Sequence, residues 1–99
     1  MELGRVSGQV VSTIKQPGLH SYKLLLVDAV NPTTGEVTGQ TPYVAVDLTG
    51  AGVGEMVVVT RGSAARVSAG TGEVPTDAAV VAIVDSVVVE GAMTFSKSA

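Results

Sequence analysis

Three glycines, Gly50, Gly52 and Gly54, fall within five positions of the stretch "TGAGVGEMVVVTRGSAAR". Glycines at that density free backbone N–H groups to turn toward an anion, which is how a phosphate is cradled at the start of a helix. A dinucleotide site needs a strand, then G-x-G-x-x-G, then a helix that aims its N-terminus at the pyrophosphate. Here the spacing is G-x-G-x-G, and the residues that follow, Met56, Val57, Val58, Val59 and Thr60, favour a strand. No Lys-Ser or Lys-Thr follows the glycines, so a P-loop is disfavoured as well. The reading is a turn between two strands.

Ser63 stands in Gly62-Ser63-Ala64-Ala65, which lacks the second glycine of a nucleophile elbow. The one histidine, His20, lies far away in sequence, in the turn-like context "QPGLHS", and the chain has no cysteine. A hydrolase with that inventory has little from which to build a triad. The carboxylates Glu2, Asp28, Glu36, Asp47, Glu55, Glu73, Asp77, Asp85 and Glu90 are dispersed, without the spacing of a zinc helix or a calcium loop. Asp28, Asp47 and Asp85 read as hydrogen-bonded or solvated positions in or at the ends of strands. No catalytic, cofactor-binding or metal-binding residue is assigned.

An oligonucleotide-binding barrel would stack bases on aromatic side chains along a basic face. Aromatics make up only 3% of the chain, and the net charge of −3 opposes a phosphate backbone. The aromatics are Tyr22, Tyr43 and Phe95, and Arg5, Lys15, Lys23, Arg61, Arg66 and Lys97 do not cluster with them. A small ligand- or oligonucleotide-binding OB-like barrel is therefore the alternative reading, not the first, and nucleic acid is not an expected partner.

The elements that must hold these turns are strands, because Val, Ile and Thr suit a pleated surface better than a helix. Strands are expected at about Leu3 to Ile14, where Gly4 and Gly8 allow a bulge, and at Tyr22 to Val30, Tyr43 to Leu48 and Glu55 to Arg61. "QPGL" turns the chain, and "NPTTGEVTGQTP", Asn31 to Pro42, is a polar hairpin excursion. "GSAAR" holds one helical turn capped by Ser63, and "VSAGTGEVPT" is a loop. Asp77 to Gly91 is expected to give a short helical turn and then a fifth strand, with "AMTFSKSA" as a tail. Five strands with tight turns read as a small closed or nearly closed barrel, since closure removes sheet edges.

The chain of 99 residues is read as a single domain, 1–99. It is 45% hydrophobic and 15% charged, with a mean hydropathy of +0.43, more apolar than a small solitary domain can bury. The longest apolar run, Ala78 to Val84, is too short to span a bilayer, and "MELGRVSGQV" lacks the pattern of a secretory signal. The expectation is a cytoplasmic protein whose apolar excess is covered by other subunits. Absence of cysteine fits a reducing compartment.

Three stretches, "GRVSGQVVSTIKQPGLHSYKLLLV", "VAVDLTGAGVGEMVVVTRGSAAR" and "PTDAAVVAIVDSVVVE", together resemble the pentameric vertex proteins of bacterial microcompartment shells, the EutN/CcmL family. The resemblance covers nearly the whole chain in order. It implies a mainly β protein: a five-stranded, OB-like barrel with one or two short helical turns, assembling as a cyclic pentamer. It further implies a structural, non-enzymatic role without cofactors, capping the vertices of a polyhedral shell in the cytoplasm and sealing it against hexameric and pseudohexameric tiles. Gly62, Ser63 and Ala64 are expected near the five-fold axis, where small residues let five copies of a turn converge, with Gly50 to Gly54 as the competing loop. Arg66, Met93 and Phe95 are expected between subunits.

Overall fold

A computed structural model describes residues 1–13, 15, 19, 22–68 and 76–97, the side chains of 66–68 excepted. In chain order the elements are β1 (Glu2–Val10), β2 (Lys23–Asn31), β3 (Glu36–Val37), β4 (Tyr43–Asp47), β5 (Met56–Arg61), α1 (Ser63–Ser68), β6 (Ala78–Ile83), β7 (Ser86–Val89) and β8 (Ala92–Ser96). β1 pairs antiparallel with both β5 and β2, while β6 joins β5 to β4. The order β1-β5-β6-β4-β2 therefore returns to β1, and the expected five-stranded barrel is closed. Every seam is antiparallel except β4–β6, which is parallel. β3 is a short extension on β2, and β7 with β8 forms a separate hairpin.

Alternation along the strands fills the barrel. Val6, Leu25, Val27, Ala45, Val57, Val59, Ala78 and Val80 point inward, and Tyr43 and Ile83 pack against them. Each fully buried valine or leucine contributes roughly 1.5–3 kcal/mol relative to exposure. A smaller cluster lies outside the wall, where Val46, Ala65 and Ala79 pack with Leu19, Tyr22, Leu24, Leu48 and Val81, and α1 lies over β6 and beside β5.

The strands differ from the expected ones at several points. β1 stops at Val10, because its partner β2 begins at Lys23 and the pairing Val10 with Leu24 is the last available. Its register shifts between Val6 and Gly8, next to one of the two glycines suggested for a bulge. Gly4 instead permits a close approach, since it pairs regularly with Ala29 and Val57, and a Cβ there would collide with Val27 Cγ1. Ser63 is the first residue of α1 and not its cap; Gly62, at φ 66°, precedes the helix. No helical turn follows Asp77. Ala78 and Ala79 enter β6 at once, because buried pairing with β4 and β5 outweighs the helical preference of alanine.

The single strand expected up to Gly91 is in fact two, and the tail is a third. β6 makes its last barrel bond from Val84 N to Met56 O, and β7 and β8 are then joined by Glu90 (φ 50°) and Gly91 (φ 80°). Two central residues at positive φ make the primed turn that matches strand twist in a two-residue hairpin. The expectations for Ile14, Gln16 to Gly18 and His20, and for the 69–75 part of the loop, lie outside the described residues.

Gly4→Ala tests the close approach of β1 and β2. The new methyl meets a fully buried valine that has no room to yield, so the cost is expected at about 1–3 kcal/mol. A thermal melt should fall by several degrees; an unchanged midpoint would contradict this packing.

Candidate functional site

The glycine loop is occupied by its own chain. Ala51 is fully buried and belongs to the barrel core, so the loop between β4 and β5 plugs one end of the barrel. Gly50 and Gly54 carry positive φ values of 79° and 93°, which lets so short a connection fold back. The amides that would face a phosphate are already used: Gly54 N donates to Val6 O (2.7 Å) and Gly52 N to Glu55 Oε1 (2.8 Å). Lys23 Nζ donates to Ala51 O (2.8 Å) and stands 3.6 Å from Asp47 Oδ2. Asp47 is buried and its Oδ1 accepts from Thr49 N and Thr49 Oγ1, which makes it the hydrogen-bonded strand-end carboxylate the sequence suggested.

Glu55 links this loop to the C-terminal hairpin. Its second oxygen, Oε2, accepts from Lys97 Nζ at 2.9 Å, just past β8. The Gly52 N–H and then Lys97 hold the Glu55 carboxyl below the usual carboxylate range, and Glu55 in turn raises the Lys97 ammonium. Two more contacts seat the hairpin on its own barrel: Thr94 Oγ1 donates to Pro32 O (2.8 Å), and the Arg5 guanidinium lies 5.9 Å from the Phe95 ring centroid. Of the two side chains expected between subunits here, Phe95 is partly buried within its own chain, whereas Met93 is 61% exposed. Met93 pairs across the hairpin with Val88, which is also exposed.

The second small-residue turn is built differently. Arg61 closes β5 with an ion pair to Glu2 (2.8 Å), its guanidinium stacked 4.2 Å over the Tyr43 ring. Both carboxylate and guanidinium are partly solvated, so the pair fixes direction more than it stabilises. Burial, followed by the charge of Glu2, pushes the Tyr43 phenol above its ordinary range, and the buried hydroxyl, beside Arg61 and Glu2, makes no hydrogen bond of good geometry. Gly62 N donates to Asp77 O (2.8 Å) and Ala65 N to Gly62 O (3.1 Å), while Ala65 is fully buried. Gly62, Ser63 and Ala64 are left exposed between these anchors. The side chain of Arg66 lies outside the described residues.

As chemistry, this arrangement offers a packed barrel and two braced turns. Among the described residues no side chain is hydrogen-bonded to the Ser63 hydroxyl, and no cluster of three potential metal ligands exists. Among them, too, no helix is long and apolar enough to cross a membrane. Sequence reasoning missed Glu55 and Lys97 as a pair because 42 residues separate them. The glycines around Glu55 were the available signal: a loop whose amides bend toward its own next carboxylate.

Fold and turns together define a small closed β-barrel with two braced small-residue turns on its rim. The family model described as "Ethanolamine utilisation protein EutN/carboxysome" matches residues 1–85, and the chain belongs to that EutN/CcmL family. The carboxysome shell vertex protein CcmL of Synechocystis sp. is 46% identical over 97 residues, covering 98% of this chain and 95% of that protein. The structure of Gloeobacter violaceus CcmL superposes with a TM-score of 0.91 at 41% identity, covering all of both chains. The GrpN pentameric microcompartment shell protein from Rhodospirillum rubrum does so at 0.79 and 44% identity, covering 90% of this chain and 99% of that one.

Glu55→Gln tests the link between loop and hairpin. A carboxyl whose folded-state pKa is depressed adds stability above its unfolded value, and loses it as pH falls through the folded value. Protection of the Gly52 amide from hydrogen exchange, relative to its intrinsic rate, should be high near neutral pH, fall as acid protonates Glu55 below the usual carboxylate range, and be reduced throughout in Glu55→Gln. Equal protection in the variant would show that the carboxylate does not hold the loop.

Proposed function

We propose that this protein is a structural shell protein whose homopentamers cap the vertices of a polyhedral bacterial microcompartment in the cytoplasm. The observation that carries the reading is likeness along the full chain to shell vertex proteins, joined to a barrel whose turns are braced for shape. The geometry explains why such a part is needed: a flat hexagonal net cannot close, and five-fold units at its corners supply the curvature. Five copies of one chain form a ring through heterologous contacts, one face of each barrel meeting a different face of the next.

The protein acts without catalysis and without a cofactor, as a seal. Its other partners are hexameric and pseudohexameric tiles along the sides of the ring, with neither nucleic acid nor membrane involved. The whole chain, 1–99, serves as one such domain, a reading supported by the fastening of the hairpin at residues 86–97 through Glu55, Arg5 and Thr94. Gly62, Ser63 and Ala64 form the axial turn in this reading. They are small, exposed and anchored on both sides, whereas the Gly50 to Gly54 loop is engaged in plugging its own barrel. Arg66 and Met93 lie at subunit boundaries, with Phe95 behind Met93 as support.

Native mass spectrometry should find a ring of about 50 kDa, five copies of a 9.9 kDa chain. Co-expression with hexameric tiles should give closed polyhedra, and tiles alone open or elongated assemblies. A chain that is only monomeric, dimeric or hexameric counts against the proposal.

The axial turn has its own test. The chain contains no tryptophan, so Ser63→Trp introduces a single indole that can be excited apart from the two tyrosines. In the ring, five indoles crowded at the axis should emit to the blue of the dissociated chain. Identical, water-exposed emission in both states would place Ser63 away from the axis.

A further inference from the structure

We propose that the β7–β8 hairpin is a hinged strap that releases from the closed barrel as one unit, with the Glu55–Lys97 ion pair as its catch. The contacts that hold it lie within one chain, so the inference stands apart from the pentameric reading. Among the described residues, β7 and β8 pair with each other and with no strand of the barrel. Val84 N donates to Met56 O, a bond of the barrel, and the next residue, Asp85, already accepts from Lys97 N at 2.8 Å, the bond that closes the hairpin. The chain thus passes from one body to the other in a single step, at the exposed Asp85.

Release costs little because the strap carries no core of its own. No residue from Asp85 to Lys97 is buried, whereas Val57, Val59 and Val80 in the barrel wall are wholly so. A segment with so little buried apolar surface opens more readily than the core beside it. A two-stranded hairpin is marginal by itself, so its ladder loosens once it leaves the wall. The barrel stays shut meanwhile, since the circuit β1-β5-β6-β4-β2 closes on β1 without β7 or β8.

The latches follow one another along β8. Thr94 Oγ1 donates to Pro32 O just past β2, Phe95 meets Arg5 of β1, and Lys97 reaches Glu55 just before β5. β2, β1 and β5 are neighbours in the wall, so β8 spans three strands. The seat is close-fitting: a Cβ on Gly35 would collide with Thr94 O. Of these three latches only Glu55–Lys97 changes its charge in mild acid. Glu55 faces Lys97 and, less strongly, Lys23, and Lys97 also feels Asp85 at the base of the strap. The Gly52 amide and these cations hold the Glu55 carboxyl below the usual range, so the catch is closed at neutral pH and is lost as pH falls through that lowered value. Protonation leaves Lys97 with Asp85, at the base of its own hairpin, and nothing draws the strap back to the wall in place of Glu55. The other Glu55 oxygen holds the Gly52 N–H, so one proton loosens strap and glycine loop together.

Hydrogen exchange on the full chain, taken relative to intrinsic rates, tests the strap. Residues 86–97 should be less protected than 56–61 of β5. Lys97→Met should lower the protection of 86–97 about two- to fivefold and leave 56–61 and the Gly52 amide as in the parent, while Lys97→Arg keeps the parent's values throughout. Glu55→Gln should lower both 86–97 and Gly52, and acid should bring the strap of the parent down to that of Lys97→Met. Protection of 86–97 equal to that of 56–61 overturns the proposal, because the hairpin would then open only with the barrel. Equal protection of 86–97 in the parent and Lys97→Met at neutral pH overturns it too, since the pair would be no catch. A fall in Lys97→Met shared equally by 56–61 does the same, by making the hairpin part of the barrel's own unfolding.

Discussion

Closure of the barrel is the constraint on which the remaining features depend. With five strands the interior is narrow, and the inward positions must alternate valine and leucine with alanine and glycine for the opposite walls to meet. Ala45, Ala51 and Ala78 all lie in the core, and Gly4 lets β1 approach Val27. Once the strands close, each connection must leave and re-enter the barrel at a fixed place on the rim. The positive φ values at Gly50, Gly54 and Gly62 follow from that demand. Glycines that resemble a ligand loop are here the consequence of a tight circumference.

The two small-residue turns then diverge through what braces them. In the first, every contact faces inward: Ala51 fills the barrel end, Glu55 and Val6 take the amides, and Lys97 ties the hairpin to the same carboxylate. In the second, the braces stand at the sides, with Arg61 on Glu2 and Tyr43 and with Ala65 sunk into the cluster under α1, leaving the middle free. A turn held rigidly at its ends and bare at its centre is suited to repeated close approach, because little entropy remains to be lost on contact.

Much of this was legible in the residues. Valine-rich alternation marked β2, β4 and β5 to within a residue or so, and "MVVVT" alone was enough to reject a helix after the glycines. The failures share a cause, which is that partners distant in sequence decided the outcome. Ala78-Ala79 looks helical until β4 and β5 are placed on either side of it. β1 ends where β2 begins, a limit set well downstream of Val10 at its partner Leu24. The break between β6 and β7 falls where Met56 O accepts its bond from Val84, and nothing near Asp85 in sequence announces that. The hairpin turn is different: Glu90-Gly91 between two apolar runs was a local signal, overlooked because the valines before it read as one continuous strand. The Glu55–Lys97 and Arg61–Glu2 pairs join opposite parts of the chain, and no spacing rule reaches across such distances.

The filling of the barrel bears on permeability. Leu25, Val27, Val57, Val59 and Val80 are all but inaccessible to solvent, and Ala51 stoppers one end, so the described residues fill the barrel and leave no lumen among them. Nothing the size of a metabolite can pass through a single chain. In a corner built from such solid pieces, leakage is decided by the gaps between copies and by the width left at their common axis. The tightness of the enclosure thus becomes a property of how the subunits fit together, with the chain itself contributing an impermeable wedge.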